Sequence, residues 1–167
     1  MTYNESGRSY TQMVNHLQGT ADGYMDNVHG IRDAQLADIV VLIVNSSGQG
    51  VCGLASVIRA TRATAFAVID ASCLAAGVLT FPHEIAHLQG ARHNDDPSNT
   101  PFAYGHGYVS PSLSWRTIMG VGTSCNFCLR VPYFSNTTAL YPPTGEVMGS
   151  STTNNNRSVL NLSVSRS

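Results

Sequence analysis

The chemistry in this sequence is concentrated in one eleven-residue stretch holding His83, Glu84, His87, Gly90 and His93. On an α-helix, residues four apart lie on one face about a turn from each other. His83 and His87 therefore aim two imidazoles at one point, as a tetrahedral Zn2+ with metal–nitrogen distances of about 2.0–2.1 Å requires. His93 follows six residues after His87; in a continuing helix it would turn away and sit about 9 Å further along the axis. The helix must stop and the chain turn back, and Gly90 is the residue type that adopts the left-handed backbone needed there. Spacing and glycine together predict three neutral imidazoles on one ion with a fourth position open.

Glu84 sits about 100° around the helix from His83, so it flanks the ligand set without joining it. A carboxylate there can take a proton from a water at the metal and return it to a leaving group. Zn2+ brings the pKa of such a water to about 7 and offsets charge developing on a carbonyl oxygen. The plain alternative is a buried helix with satisfied histidines, but hiding three His and a Glu without a metal is expensive. A purely structural zinc lacks an evident fourth protein ligand.

The elements that must position these residues are read from periodicity. Residues 79–89 form one buried helical stretch carrying the first two histidines and Glu84. Earlier, Tyr10, Met13, Val14 and Leu17 recur at helical spacing, with Ser9 as cap and Gly19 as stop. A second helix is expected after Asp22, carrying Met25, Val28 and Leu36 and weakened by Gly30. Residues 39–44 are apolar throughout, which predicts a strand buried on both faces. Residues 53–58 and 65–69 are shorter strand candidates, giving a three-layer α/β half. Residues 93–143 show no long periodic segment, and irregular chain of that length is commonly functional or pinned by a ligand or disulfide. Residues 156–167 close with a short helix through Leu160 and Val164. The chain thus reads as a single domain, 1–167, with 1–93 holding the metal-binding helix and 94–167 irregular.

Composition removes several function classes. The 167 residues and 17.8 kDa fit one domain. With 43% hydrophobic and 11% charged residues and a net charge of −1, this is no disordered tail. All nine basic residues are Arg, scattered along the chain, so no basic stripe follows a phosphate backbone and no nucleic-acid partner is expected. The aliphatic run at 39–44 is far short of the roughly 20 residues that span a bilayer, so no membrane partner is expected either. Cys52, Cys73, Cys125 and Cys128 permit three pairings, and an even count in a Lys-free chain leans towards an oxidising compartment. Cys125-Asn-Phe-Cys128 could be half of a metal site or a redox pair. With no second pair at metal spacing, a local disulfide is expected there, with Cys52–Cys73 as the other bridge. Residues 1–5 lack the basic start and apolar stretch of a signal peptide, so a leader is expected to have been removed or to lie in a longer precursor.

The stretch from His83 to His93 resembles the zinc motif of the metzincin endopeptidases, and Thr117-Ile118-Met119-Gly120 resembles their Met-turn. His87-Leu-Gln-Gly-Ala-Arg-His93, Pro101-Phe-Ala-Tyr-Gly-His-Gly-Tyr108, Trp115-Arg-Thr-Ile-Met119 and Val147-Met-Gly-Ser are similar to segments of the bacterial peptidyl-aspartate metalloendopeptidases. So is Asn154-Asn-Asn-Arg-Ser-Val-Leu-Asn161, and the resemblance runs from about Tyr3 to Asn161. It implies an α/β (α+β) metzincin-like catalytic domain, a twisted mixed sheet with helices plus an irregular C-terminal subdomain. Such domains resemble one another in placing five strands and a long helix before the zinc helix. Three strand candidates precede His83 here, so a strand–helix–strand unit is expected to be missing from the front.

The resemblance further implies His83, His87 and His93 as ligands of one catalytic Zn2+, with calcium left open, Glu84 as general base and Met119 as the Met-turn residue. Gly53, Leu54 and Ala55 would pair as an edge strand with extended substrate, and Val131-Pro132-Tyr133 would wall the pocket after the scissile bond. Cleavage before an acidic residue calls for a guanidinium forked on a carboxylate. Arg130 is the first candidate, with Arg116 and Arg92 behind it. His106, in a Gly-His-Gly loop, is expected to be a surface or packing residue. Asn94, not an acidic residue, follows His93. The expected protein is a secreted, bacterial-type, monomeric zinc endopeptidase acting on proteins or peptides. Its rivals are a truncated inactive metzincin fragment, a non-catalytic zinc-stabilised binding module, and a reprolysin-like metzincin of other specificity.

Overall fold

The structure is a computed structural model that describes residues 3–45, 49–75 and 77–164, without the side chains of 163 and 164. Helix α1, Tyr10–Gln18, begins where Ser9 accepts the Gln12 N–H while the Gln12 side chain accepts the Ser9 N–H. This reciprocal cap satisfies two otherwise orphaned donors. The helix buries Tyr10, Met13, Val14 and Leu17 and ends as the Gly19 N–H reaches Asn15 O. Helix α2, Val28–Ala34, starts later than the apolar spacing suggests. The Asp26 carboxylate accepts the N–H groups of Asp22 and Gly23, and Asp22 accepts that of Tyr24, which holds residues 22–26 in a turn instead. Met25 is still buried, against Leu17 and Phe66, whereas Leu36 is 90% exposed and belongs to no core.

Among the described residues, three strands precede the helix that carries His83 and His87. Strand β1, Val40–Val44, runs parallel to β3, Phe66–Asp70, and β2, Gly53–Ala55, pairs with β3 antiparallel on its other side. The order is β1-β3-β2. Every residue of central β3 is buried, and each large apolar side chain hidden there contributes about 1.5–3 kcal/mol. Helix α1 covers one face through Tyr10, Met13 and Val14 against Val44 and Val68. Helix α3, Thr80–Gln89, packs on β2 and β3 from the other face.

Contrary to expectation, β1 is not buried on both faces: α3 packs chiefly on β2 and β3, and Ile43 on the far face of β1 is 51% exposed. An all-apolar run does not distinguish a central strand from an edge strand with one covered face.

Beyond α3 the chain makes only short pairings. Strand β4, Trp115–Arg116, lies parallel to β5, Leu129–Arg130, and β6, Asn136–Leu140, is antiparallel to β7, Val147–Met148. Trp115, Val131 and Met148 form a second core, and the Trp115 indole N–H donates to the Glu146 carboxylate at 2.6 Å. Helix α4, Asn156–Val164, closes the chain against α3. Cys52 pairs with Cys73 and Cys125 with Cys128, as expected.

Candidate metal centre

Helix α3 carries two of the three histidines and ends at Gly90, whose φ of +112° lets its N–H reach the Ala86 and His87 carbonyls. A side chain there would meet Phe102 Cε2 at 3.1 Å and Val159 Cγ1 at 3.4 Å. The reversed chain is then tied down: Ala91 N–H donates to Ala86 O, Arg92 N–H to Gly105 O and Gly107 N–H to Arg92 O. This return brings His93 Nε2 to 2.9 Å from His83 Nε2 and 3.1 Å from His87 Nε2.

The other ring nitrogens of the first two lie against backbone oxygens: His83 Nδ1 is 2.9 Å from Ile118 O, and His87 Nδ1 donates to Ala91 O at 2.9 Å, which leaves His87 Nε2 with a lone pair. A tetrahedral ion with ligands at about 2.0–2.1 Å separates the ligand nitrogens by about 3.3 Å, close to what this cluster offers. Three imidazole nitrogens converging in this way are the donor set of a metal ion, and the three residues could hold one. Burial first, then the neighbouring His87 and Arg130 charges, hold His83 well below its usual 6.5. Burial and His93 bring His87 down to about 4, and burial lowers His93. The set therefore stays neutral and able to ligate at ordinary pH.

Glu84 is buried beside the cluster. Burial pushes its carboxyl up to about 7, against the pull of the Ala55 N–H and the Arg130 guanidinium. Its Oε2 accepts the Ala55 N–H at 2.8 Å, which ties it to strand β2. Met119 is fully buried with Ile118, Ala86 and Ala91, so the turn at 117–120 packs directly on α3. Arg130 Nε and Nη2 donate to Ile118 O, and Nη1 donates to Val78 O at 2.8 Å. Its Nη2 lies 2.6 Å from His83 Nδ1. Burial and Arg116 lower its pKa to about 10, which leaves it charged at neutral pH. Of the two other arginine candidates, Arg116 likewise donates to backbone carbonyls, those of Gly120 and Cys128, and Arg92 pairs with Asp96. Tyr133 O accepts the Ile118 N–H at 2.8 Å, which sets 131–133 along the turn beneath the histidines.

Asn94 and His106, both singled out in the sequence, make contacts there that spacing does not foretell. The Asn94 side chain accepts the Val121 N–H at 2.8 Å and donates to Ser124, joining the loop after His93 to the loop after Met119. His106 is buried and its Nδ1 donates to His93 O at 3.0 Å, so this packing histidine steadies the backbone of His93. A groove of about 810 Å³ lies elsewhere, lined by Arg32, Leu36, Arg59, Phe102 and Val159. Its size does not make it the site, since none of the three histidines faces it.

Comparison with known proteins agrees with this geometry. The Reprolysin_5 model of metallo-peptidase family M12 matches residues 1–135, and the chain belongs to that family. It is 44% identical over 163 residues to a peptidyl-Asp metalloendopeptidase of Stenotrophomonas maltophilia strain K279a, covering 95% of this chain and 37% of that protein. The protein of the same description from Xanthomonas campestris pv. campestris is 45% identical over 161 residues, with the same coverage. The chain thus spans little more than a third of the length of these relatives. A chain in a solved structure described as "Structure of a chaperone-substrate complex" matches 96% of this chain and 24% of its own length, at 27% identity and a TM-score of 0.68.

Proposed function

We propose that the chain is the catalytic unit of a secreted zinc endopeptidase that cleaves before acidic residues. The observation that carries this reading is the convergence of three imidazole Nε2 atoms beside a buried carboxyl. His83, His87 and His93 would hold the ion, and Met119 forms the floor beneath them. Zinc bound there supplies Lewis acidity, which polarises the scissile carbonyl and eases loss of a proton from water. Glu84 takes that proton and returns it to the departing amine, a role suited to a carboxyl whose pKa lies near the working pH. Extended substrate aligns along the outer edge of β2, the segment Gly53, Leu54 and Ala55, through the outward Gly53 N–H and the outward carbonyls of Gly53 and Ala55.

Arg130 supports the acidic preference. It is a charged, half-buried guanidinium set against His83, and Ile118 joins it to the 131–133 segment by accepting from Arg130 and donating to Tyr133 O. A carboxylate entering beside it exchanges water for a fixed cation. The likeness to peptidyl-Asp metalloendopeptidases favours the same substrate class. Residues 1–93 and 94–167 act as the two walls of one monomeric catalytic domain.

A casein assay with and without a chelator, repeated on Glu84→Gln, tests the reading. Chelator-sensitive cleavage that falls at least about a hundredfold in the variant is expected. Stoichiometric zinc without any cleavage would overturn it in favour of a zinc-stapled binding module.

A further inference from the structure

Strand β2 does more at this site than present an edge. In an antiparallel ladder, alternate residues turn their N–H and C=O towards the partner strand and the others turn theirs away. Ser56 N–H donates to Phe66 O and Asp70 N–H to Cys52 O, with Leu54 opposite Val68. The backbone groups of Gly53 and Ala55 therefore face away from β3. An outward N–H on an edge strand is ordinarily left to solvent. That of Ala55 instead donates to Glu84 Oε2 at 2.8 Å, on a side chain only 6% exposed.

Gly53 makes that approach possible. A Cβ at this position would lie 2.8 Å from Val68 O, 3.1 Å from Glu84 Cγ and 3.2 Å from Glu84 Oε1. The first contact is with backbone and cannot be relieved by a rotamer change, so β2 would have to shift against β3, and the Glu84 side chain would have to give by a few tenths of an ångström as well. The missing side chain at Gly53 and the free donor at Ala55 act together: one clears the space and the other fixes the oxygen.

We infer that Gly53 and Ala55 are positioning residues for Glu84, locking the carboxylate of the base to the edge strand. The inference rests on the reading of Glu84 as the proton acceptor. With Oε2 anchored, Oε1 lies over the open face of Gly53, and the carboxylate loses its rotational freedom before any substrate arrives. The base and a peptide aligned on β2 are then indexed to the same strand.

Amide hydrogen exchange on the full chain tests the lock independently of catalysis. The Ala55 amide should exchange on the order of tenfold more slowly than the outward Gly53 amide once corrected for intrinsic rates, as one hydrogen bond provides. In Glu84→Ala the two should become alike. Equal rates in the wild type, or protection of Ala55 that survives Glu84→Ala, would overturn the inference. In kinetics, Ala55→Pro removes the donor at a position where proline is accepted, an edge strand with its N–H side outward. A fall of at least about tenfold in kcat with KM within about twofold is expected. A rise in KM with kcat unchanged would make the N–H a substrate contact and refute the positioning role. Should the wild type show no cleavage at all, the peptidase reading fails, and the exchange measurement still decides whether the lock exists.

Discussion

His83 and His93 lie ten residues apart in the chain, yet their Nε2 atoms are 2.9 Å apart. The helix that carries the first ends at Gly90, and the chain beyond returns under hydrogen bonds from Ala91, Arg92 and Gly107. Two imidazole nitrogens brought that close, with His87 Nε2 beside them, are spaced to share one cation.

Glu84 should cost the metal-free protein stability. Its folded pKa is raised from 4.5 to about 7, so the neutral form is favoured in the fold. Stability is fully present below pH 4.5 and is lost as the pH rises through about 7, by about 3 kcal/mol in all. Thermal unfolding of chelator-treated protein should therefore find Glu84→Gln more stable than the wild type above pH 7 and similar to it near pH 4. A wild type that gains stability relative to the variant as pH rises would contradict the burial of this carboxyl.

Gly90→Ala should damage the fold and the site together. The φ of +112° is strained for any side chain, and the added methyl would sit 3.1 Å from Phe102. A loss of about 1–3 kcal/mol is expected, read as a lower melting temperature of metal-free protein, with weaker zinc binding in chelator competition. An unchanged melting temperature would show that the helix stop tolerates a side chain.

Parts of this arrangement were legible in the sequence because they are local. The Ser9 cap, the Gly19 stop and the Gly90 turn each depend on residues within a few positions, and the His83–His87 spacing is a property of one helix. The limits of α2 were misjudged because the side chains of Asp22 and Asp26 compete with its backbone, which apolar spacing does not register. The exposure of Ile43 depends on what lies beside β1 in space. The tie from Ala55 to Glu84, the support of His93 by His106 and the Asn94 bridge all join residues 13 to 29 positions apart. No pattern along the chain announces such pairs.

Arg130 should set the charge preference after the scissile bond. It also braces Ile118 O and Val78 O, so a loss of overall rate in Arg130→Gln is uninformative by itself. The ratio of kcat/KM for paired peptides with Asp or Asn at that position isolates the charge. It should fall by about tenfold, the worth of one charge-assisted hydrogen bond. An unchanged ratio would leave Arg130 as a structural strut.

Elemental analysis of the folded, purified chain tests the central claim most directly, with wild type and His93→Ala dialysed side by side against zinc-limited buffer. One zinc ion per wild-type chain, largely lost in the variant, is the result expected of three imidazoles closing on one ion. A correctly folded wild type without stoichiometric metal, or a variant that keeps its zinc, would contradict the account.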